Sequence, residues 1–573
     1  MADLQLVKNV SLLADTVWRH LSEDPLLLAV QASRRLPSSI RGRLAAAVGV
    51  GARGGAVRGA LAEFLADRPG PARQALAFAQ PRSWIGRDLA AELAVQLGVQ
   101  LGVGLPPGGQ SAVAVRAREL WAQGDLSGAV AVLEGASGAR HQRARLRSEL
   151  AAMSPGFRLP LLSPSPAWAG PSAKGPARVL HVLTNSFPHT QSGYAVRSHA
   201  VLRSTRLAGV GVRAVTRIGY PVTVGLVGAS VRDVVDGIEY RHLLPARLAS
   251  TPVARLVQMS RLLAREVEAF RPDVLHTTTN YQNALVVRAV AESYGLPWVY
   301  EMRGVLELTW VASRPVRQQG RARTSERFRR LRAKETEMAL QADAVVALSQ
   351  VQKADLVSRG VPAAKVWVVP NAVEDAVLEA ERLRPAEARR RLGLPEEGTW
   401  VGSVSSLVPY EGFEVLLRAV ARCRRLGLDV RCLLVGDGVS RASLVALAAD
   451  LGLGEQVCVL PGRVPPGDSL NWYQALDVFC VPRLDTEVCR MVTPLKPLTA
   501  MGLGRPVIAS DLPALVEVTC AADELRFPAG DSESLSYTIA SWMENAQNRQ
   551  VSAVVPTWGQ HGQTYAQLYE ELR

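Results

Sequence analysis

The sequence is short of aromatic residues, of cysteine and of long apolar runs, and each shortage excludes something. Phe, Trp and Tyr together make up 5% of its 573 residues. Basic side chains do not interleave with aromatic ones as they do where bases stack, so nucleic acid is not an expected partner. The six cysteines are Cys423, Cys432, Cys458, Cys480, Cys489 and Cys520; they form no CxxC pair and no histidine cluster accompanies them. They read as buried thiols of a reducing compartment, not as disulfides or a zinc site. No apolar leader opens the chain, and no apolar run approaches the ~20 residues of a membrane span. The expected location is the cytoplasm, with peripheral attachment at the inner membrane face left open.

What is present is a large apolar fraction, 48% of the chain, which is ample for several cores. The length suggests three or so domains at ~100–200 residues each. The formal net charge is +14, with Arg far outnumbering Lys. Charge alone fits nucleic acid, an anionic membrane or a phosphorylated substrate.

Residues 1–160 are rich in Ala, Leu and Arg, and their apolar residues recur at helical spacing, as in SLLADTVWRHL and ARELWAQGDLSGAVAVLE. The second stretch resembles a tetratricopeptide-type hairpin. Weaker echoes stand near Asp24–Leu36 and Ala72–Gln80, without a strict ~34-residue period. Up to Ala177 there are 20 basic and 12 acidic residues, a net +8. Two readings of this extension stand: a solvated helical scaffold, or a docking surface for a protein partner or an anionic membrane. GVGARG at 49–54 spells GxGxxG, but it lacks the preceding strand and downstream acid of a dinucleotide site. Residues 161–177, at the end of a Pro-, Ser- and Gly-rich stretch, read as a linker.

The chain is organised around Asp477–Glu517. The run DVFCV is an apolar strand, a mixed-charge loop follows, Pro494–Met501 starts a helix, and RPVIAS is the next strand. In open α/β sheets ligands sit beyond the strands' carboxyl ends. Here that loop carries Arg483, Arg490 and Lys496, a charge set suited to a phosphorylated ligand. RVLHVLTNSF, followed by a loop and a helix, is a similar unit near Arg178, and DVRCLLVGDG is another.

VTPLKPLTAMGLGRPVIASDLPAL resembles the donor-binding segment of glycosyltransferase family 4, of the GT-B fold. VWVVPNAV, VGDGV and PTWGQHGQTYAQLYEELR resemble further segments of that family, over roughly residues 178–573. The resemblance implies an α/β fold of two Rossmann-like domains with a cleft between them, preceded by an all-α region. The implied boundaries are 178–372 for the acceptor domain, 373–545 for the nucleotide-sugar domain, and 546–573 for a helix crossing back to the first. It implies a retaining, metal-independent glycosyltransferase of cell-surface polysaccharide or glycoconjugate synthesis. A nucleotide-sugar is then the donor, a sugar or lipid-linked molecule the acceptor, and no cofactor is expected. The absence of a DxD-type cluster agrees with that.

By the same resemblance, donor-binding positions are Gly193, Ser406, Glu411, Gly436, Gly438, Val464 and Thr499, to which Arg483, Arg490 and Lys496 are added as the cations available in the donor loop. Catalytic positions are Glu301, Arg303 and Glu307, on or beside the loop where many relatives carry a His. All three also read as surface salt-bridging residues, and His276 reads as a packed strand-end histidine. The sequence departs from the pattern in three places: Ser406 and Glu411 replace the usual Arg and Lys, and Thr499 replaces a Glu. Those losses leave an alternative, a catalytically degenerate GT-B protein whose extension docks a partner. The nine basic residues of Arg314–Lys334 read as a solvated face or as a contact for lipid headgroups or a phosphorylated acceptor.

Overall fold

The computed structural model describes residues 2–23, 38–50, 56–66, 68–81, 83–97, 110–136, 139–171, 175–520, 522–545 and 555–573. Helices fill the described part of the first 152 residues. The tetratricopeptide-like stretch is a helical hairpin, Gln110–Gln123 with Leu126–Glu134. Asp125 caps the second helix by accepting from Gly128 N at 2.9 Å. The echo at Asp24–Leu36 lies outside the described residues. So does most of GVGARG; its Gly49 and Val50 end the helix Ser38–Val50, and no strand precedes it among the described residues.

The extension has apolar cores of its own, one among residues 57–97 and one around the hairpin, and its last part also docks on the next domain. Leu126, Ala152, Met153 and Leu159 share one apolar core with Leu263, Val287 and Met338 of the next domain. The chain in and just before the expected linker, 161–177, is docked in part. Leu159 is buried, and Trp168 packs edge-on against Tyr294 with ring centroids 5.1 Å apart. The stretch is extended because its prolines and glycines forbid helix, yet its few apolar side chains are enough to dock it.

The basic run from Arg314 explains much of that docking. Glu326 accepts from Ser127 N at 2.7 Å and from Ser127 Oγ at 2.5 Å. Arg327 lies over the rings of Trp121 and Trp310, and Arg314 over Trp310. Lys334 is fully buried and pairs with Glu337 at 2.7 Å. The reading of this run as a lipid or acceptor contact is therefore corrected for Arg314, Arg327 and Lys334, whose charges face the protein itself.

Two sheets follow. The first contains β1 (Arg178–Leu183), β2 (Gly211–Thr216), β3 (Arg232–Val235), β4 (Ile238–His242), β5 (Val274–Thr278), β6 (Trp298–Met302), β7 (Ala344–Ala347) and β8 (Val366–Val368), in the order β3-β4-β2-β1-β5-β6-β7-β8. All its pairs are parallel except β3 with β4. The second contains β9 (Thr399–Val404), β10 (Val430–Val435), β11 (Cys458–Gly462), β12 (Val478–Val481), β13 (Val507–Ser510) and β14 (Arg526–Phe527), in the order β11-β10-β9-β12-β13-β14, all parallel. Each sheet is covered by helices on both faces, which is why the strands read as unbroken apolar runs. The helix Trp558–Leu572 packs back on the helix Gly193–Leu207. Gly562 lies against the Ser204 carbonyl, where a Cβ would collide with backbone.

One acid is buried in the first domain without a cation of its own. Glu335 accepts from Tyr281 N at 2.7 Å and Tyr300 Oη at 2.5 Å. Burial pushes its carboxyl up to about 7, against the pull of those two hydrogen bonds. Because the folded value lies above the ordinary one, folding takes up a proton at this site between ~4.3 and 7. Its stabilising share is present at acid pH and is lost as pH rises through 7. Melting temperatures of wild type and Glu335→Gln, compared from pH 5 to 8, are expected to diverge in favour of the variant as pH rises. A pH-independent difference would contradict this.

Candidate functional site

Both domains turn loops at their strands' carboxyl ends toward one cleft. Polar contacts between described residues join its walls. Asn371 Nδ2 donates to Thr493 O at 3.2 Å. The Glu517 carboxylate accepts from Gln350 N at 2.6 Å and Val351 N at 3.0 Å. Arg323 pairs with Glu487 at 2.6 Å.

On the first wall, Ser192 caps the helix Gly193–Leu207 by accepting from Ala195 N. Gly193 faces across the cleft: a Cβ there would lie 3.8 Å from Leu495 of the other domain. Tyr194 follows, largely exposed. Beneath them lies a buried charge network centred on Glu301. Its Oε1 accepts from Arg197 Nε at 2.7 Å; its Oε2 accepts from Arg303 at 2.9 Å and lies 3.1 Å from His276 Nε2. Arg197 also donates to the carbonyls of Pro370 and Val369, to Asn371 Oδ1 and to Tyr565 Oη. His276 Nδ1 bonds Tyr569 Oη at 2.7 Å. Burial alone would raise the Glu301 carboxyl, but Arg303, Arg197 and His276 together hold it well below the usual range. Burial lowers His276, favouring the neutral ring.

Glu301 is completely buried and both its oxygens are taken. The expectation that it touches substrate hydroxyls is corrected: it positions Arg303. That guanidinium donates to Tyr194 O at 3.0 Å and Ser198 Oγ at 2.5 Å, while its Nε has no acceptor. Glu307 is corrected too. Tyr300 and Glu301 are neighbours on β6 and point to opposite faces. Glu307 lies on the Tyr300 side, paired with Arg359 at 2.7 Å, away from the Glu301 network.

On the second wall, backbone meets backbone. Ser405 N donates to Val435 O and Leu407 N to Asp437 O. Gly436, at φ 137°, lies against Ser405 O, and Gly438 against Leu407 O, so neither tolerates a side chain. Ser406 between them is exposed. Val464 is half-buried in the core that includes Leu433 and Tyr473. Thr499 is within side-chain hydrogen bonding of Tyr473, whose phenol burial pushes up.

The three expected phosphate cations differ. Arg483 is buried and spends its charge on Glu411, with oxygens 2.8 and 3.2 Å away, and on Val492 O at 3.0 Å. Glu411 therefore neutralises a neighbour instead of standing open. Arg490 is exposed and paired with Asp485 at 2.5 and 2.6 Å. Lys496 has no hydrogen bond or ion pair among the described residues. Burial lowers its ammonium, Glu411 raises it, and Arg483 lowers it. Sequence reasoning missed Arg197, Tyr194 and Tyr473. Arg197 lies four residues after Gly193, on the helix that the Gly-containing loop feeds, which is the one signal that could have found it.

Two facing Rossmann-like domains, with glycines where their loops touch, define a two-domain α/β fold with a cleft between its halves. Residues 192–372 match the family described as Glycosyl transferase 4-like domain, and residues 386–553 match Glycosyl transferases group 1. The chain belongs to this glycosyltransferase family 4-like group, with the GT-B fold. It is 29% identical over 302 residues to a D-inositol 3-phosphate glycosyltransferase of Acidothermus cellulolyticus, covering 49% of this chain and 61% of that one. It is 33% identical over 143 residues to a 2-deoxystreptamine glucosyltransferase of Streptomyces kanamyceticus, covering 25% and 35%. The chain thus spans about a third to three fifths of these relatives. Its fold matches a sucrose-phosphate synthase of Thermosynechococcus elongatus, with a TM-score of 0.54 at 18% identity over 69% of this chain and 99% of that one. It also matches a starch synthase IV catalytic domain of Arabidopsis thaliana, bound to ADP and acarbose, with a TM-score of 0.51 at 13% identity over 70% and 99%. These matches do not favour the reading as a degenerate binding protein. No described helix is long and apolar enough to cross a membrane.

Proposed function

We propose that the chain transfers a sugar from a nucleotide-sugar to an acceptor hydroxyl, with retention and without a metal at the reacting bond. The observation that carries this reading is Lys496, a mostly buried ammonium beside the Glu411–Arg483 pair, with no hydrogen bond or ion pair among the described residues. A diphosphate would supply the missing counter-charge. In the reaction the anomeric carbon–phosphate oxygen bond breaks and the acceptor oxygen–carbon bond forms. The acceptor proton leaves to a diphosphate oxygen. Lys496 stabilises the charge on the leaving diphosphate, a form of catalysis that needs no protein nucleophile. Arg303, itself buried, positions Tyr194 and Ser198 at the cleft by donating to Tyr194 O and Ser198 Oγ. Val464 lines the base, and Thr499 with Tyr473 lies toward the ribose.

The names of the curated relatives make polyhydroxylated cyclitols and their phosphates the first acceptors to test, beside sugar and lipid-linked acceptors of cell-surface glycoconjugates. A screen of nucleotide-sugars by thermal stabilisation, followed by nucleoside diphosphate release, tests the reading. A folded chain that no nucleotide-sugar stabilises would count against it.

Thr499 offers one neutral hydroxyl where the resemblance of its segment to the family's donor-binding segment implies a Glu carboxylate. Charged hydrogen bonds contribute about 1.5–3 kcal/mol and neutral ones about 0.5–1.5. Thr499→Glu is therefore expected to tighten nucleoside diphosphate binding by about 1–3 kcal/mol, roughly 5- to 150-fold. Calorimetry on wild type and variant decides it. A variant that folds and binds no better would mean that another group already serves the ribose.

A further inference from the structure

We propose that His189, Asp233 and His242 form a binding site for one divalent transition-metal ion, with zinc the ion that best suits its donors. His189 stands on the loop between β1 and the helix Gly193–Leu207, Asp233 on β3, and His242 at the end of β4. The two Nε2 atoms converge on a single carboxylate oxygen, each 2.8 Å from Asp233 Oδ2. The candidate ligand atoms of the three residues all lie within 4.8 Å of one another. On one zinc ion, bonds of about 2.0–2.2 Å set such atoms roughly 3–3.5 Å apart. Side-chain rotation closing the group by about an ångström is enough. Two imidazoles and one carboxylate favour zinc and its neighbours over magnesium or calcium, which prefer oxygen donors.

The surroundings are those of a built site. His242 has a fully buried side chain, and its Nδ1 lies 2.9 Å from Thr216 Oγ1, which fixes the ring with Nε2 toward Asp233. The His189 loop is held by Thr190 Oγ1 against Tyr220 Oη at 2.8 Å, and that phenol donates to Ser186 O at 2.8 Å. His189 and Asp233 keep 19% and 21% of their side chains exposed, so an ion can enter from solvent and keep a water. The ion ties the edge hairpin β3–β4 to the loop that leads into Ser192 and Gly193 at the cleft. None of the three residues belongs to the proposed diphosphate site, so this inference stands independently of the proposed reaction.

The test is calorimetric titration of the chelator-treated full chain with zinc chloride, with melting temperatures recorded in parallel. Wild type is expected to bind one zinc at this site and to melt higher with it. Asp233→Asn and His189→Gln, both conservative changes at partly exposed positions, are each expected to weaken that binding at least about tenfold. They should also lose the zinc-dependent rise in melting temperature. Magnesium at millimolar concentration should leave the wild-type titration unchanged. Folded variants that bind zinc as wild type does would place the ion elsewhere, for instance at the exposed Cys520, and overturn the site. A folded wild type that binds no zinc would overturn it too.

Discussion

Glu301→Ala is expected to lower the stability of the first domain by about 3–5 kcal/mol. The carboxylate is the common partner of Arg197, Arg303 and His276, all of them buried. Removing it leaves two guanidinium ions in the interior with no counter-charge, which costs far more than a truncated surface pair. The network also joins β5 and β6 to the segment Val369–Asn371 and to the helix Trp558–Leu572, so the loss should reach the seating of that helix. Urea unfolding of wild type and variant measures it. The same carboxylate gives a pH signature. Its folded value lies well below that of the unfolded chain, so its stabilisation is complete above ~4.3 and is lost as pH falls through the folded value. Wild type should therefore lose stability at acid pH more steeply than Glu301→Ala. A cost under about 1 kcal/mol would mean that the two arginines find solvent or other acceptors.

Lys496→Ala should act in the opposite way, on binding and not on folding. Its ammonium has no intramolecular partner among the described residues, so truncation breaks no pair and stability should stay within about 0.5 kcal/mol. A hydrogen bond to a charged group contributes about 1.5–3 kcal/mol, so nucleoside diphosphate affinity should fall roughly 10- to 150-fold. Arg490→Ala is the control. That side chain is exposed and already spent on Asp485, and screening leaves such a group little to give. Equal losses in the two variants would mean that net charge steers binding; no loss at Lys496 would remove it from the diphosphate site.

The fold was legible because its signals are local. Apolar runs followed by turns and helices repeat along the chain, and both flanks of the Asp477–Glu517 unit can be read without tertiary knowledge. The extension's attachment was not legible. Residues 154–171 have linker composition, and nothing in that composition shows that Leu159 and Trp168 find apolar partners. Charges were the hardest to read. Arg483, Arg490 and Lys496 look alike in sequence, and only folding shows that Glu411 takes the first and Asp485 the second. Glu301 and Glu307 look like neighbours on one loop, yet they end on opposite sides of the sheet.

Nucleoside diphosphate release from a panel of nucleotide-sugars, with sugar and cyclitol acceptors, by wild type and by folded Lys496→Ala tests most directly whether Lys496 and its neighbours hold the diphosphate of a reacting nucleotide-sugar. Acceptor-dependent release by wild type from at least one donor is expected, with release falling at least about tenfold in the variant. Release that is equal in the two proteins, or a folded wild type that neither binds nor cleaves any donor in the panel, would contradict it.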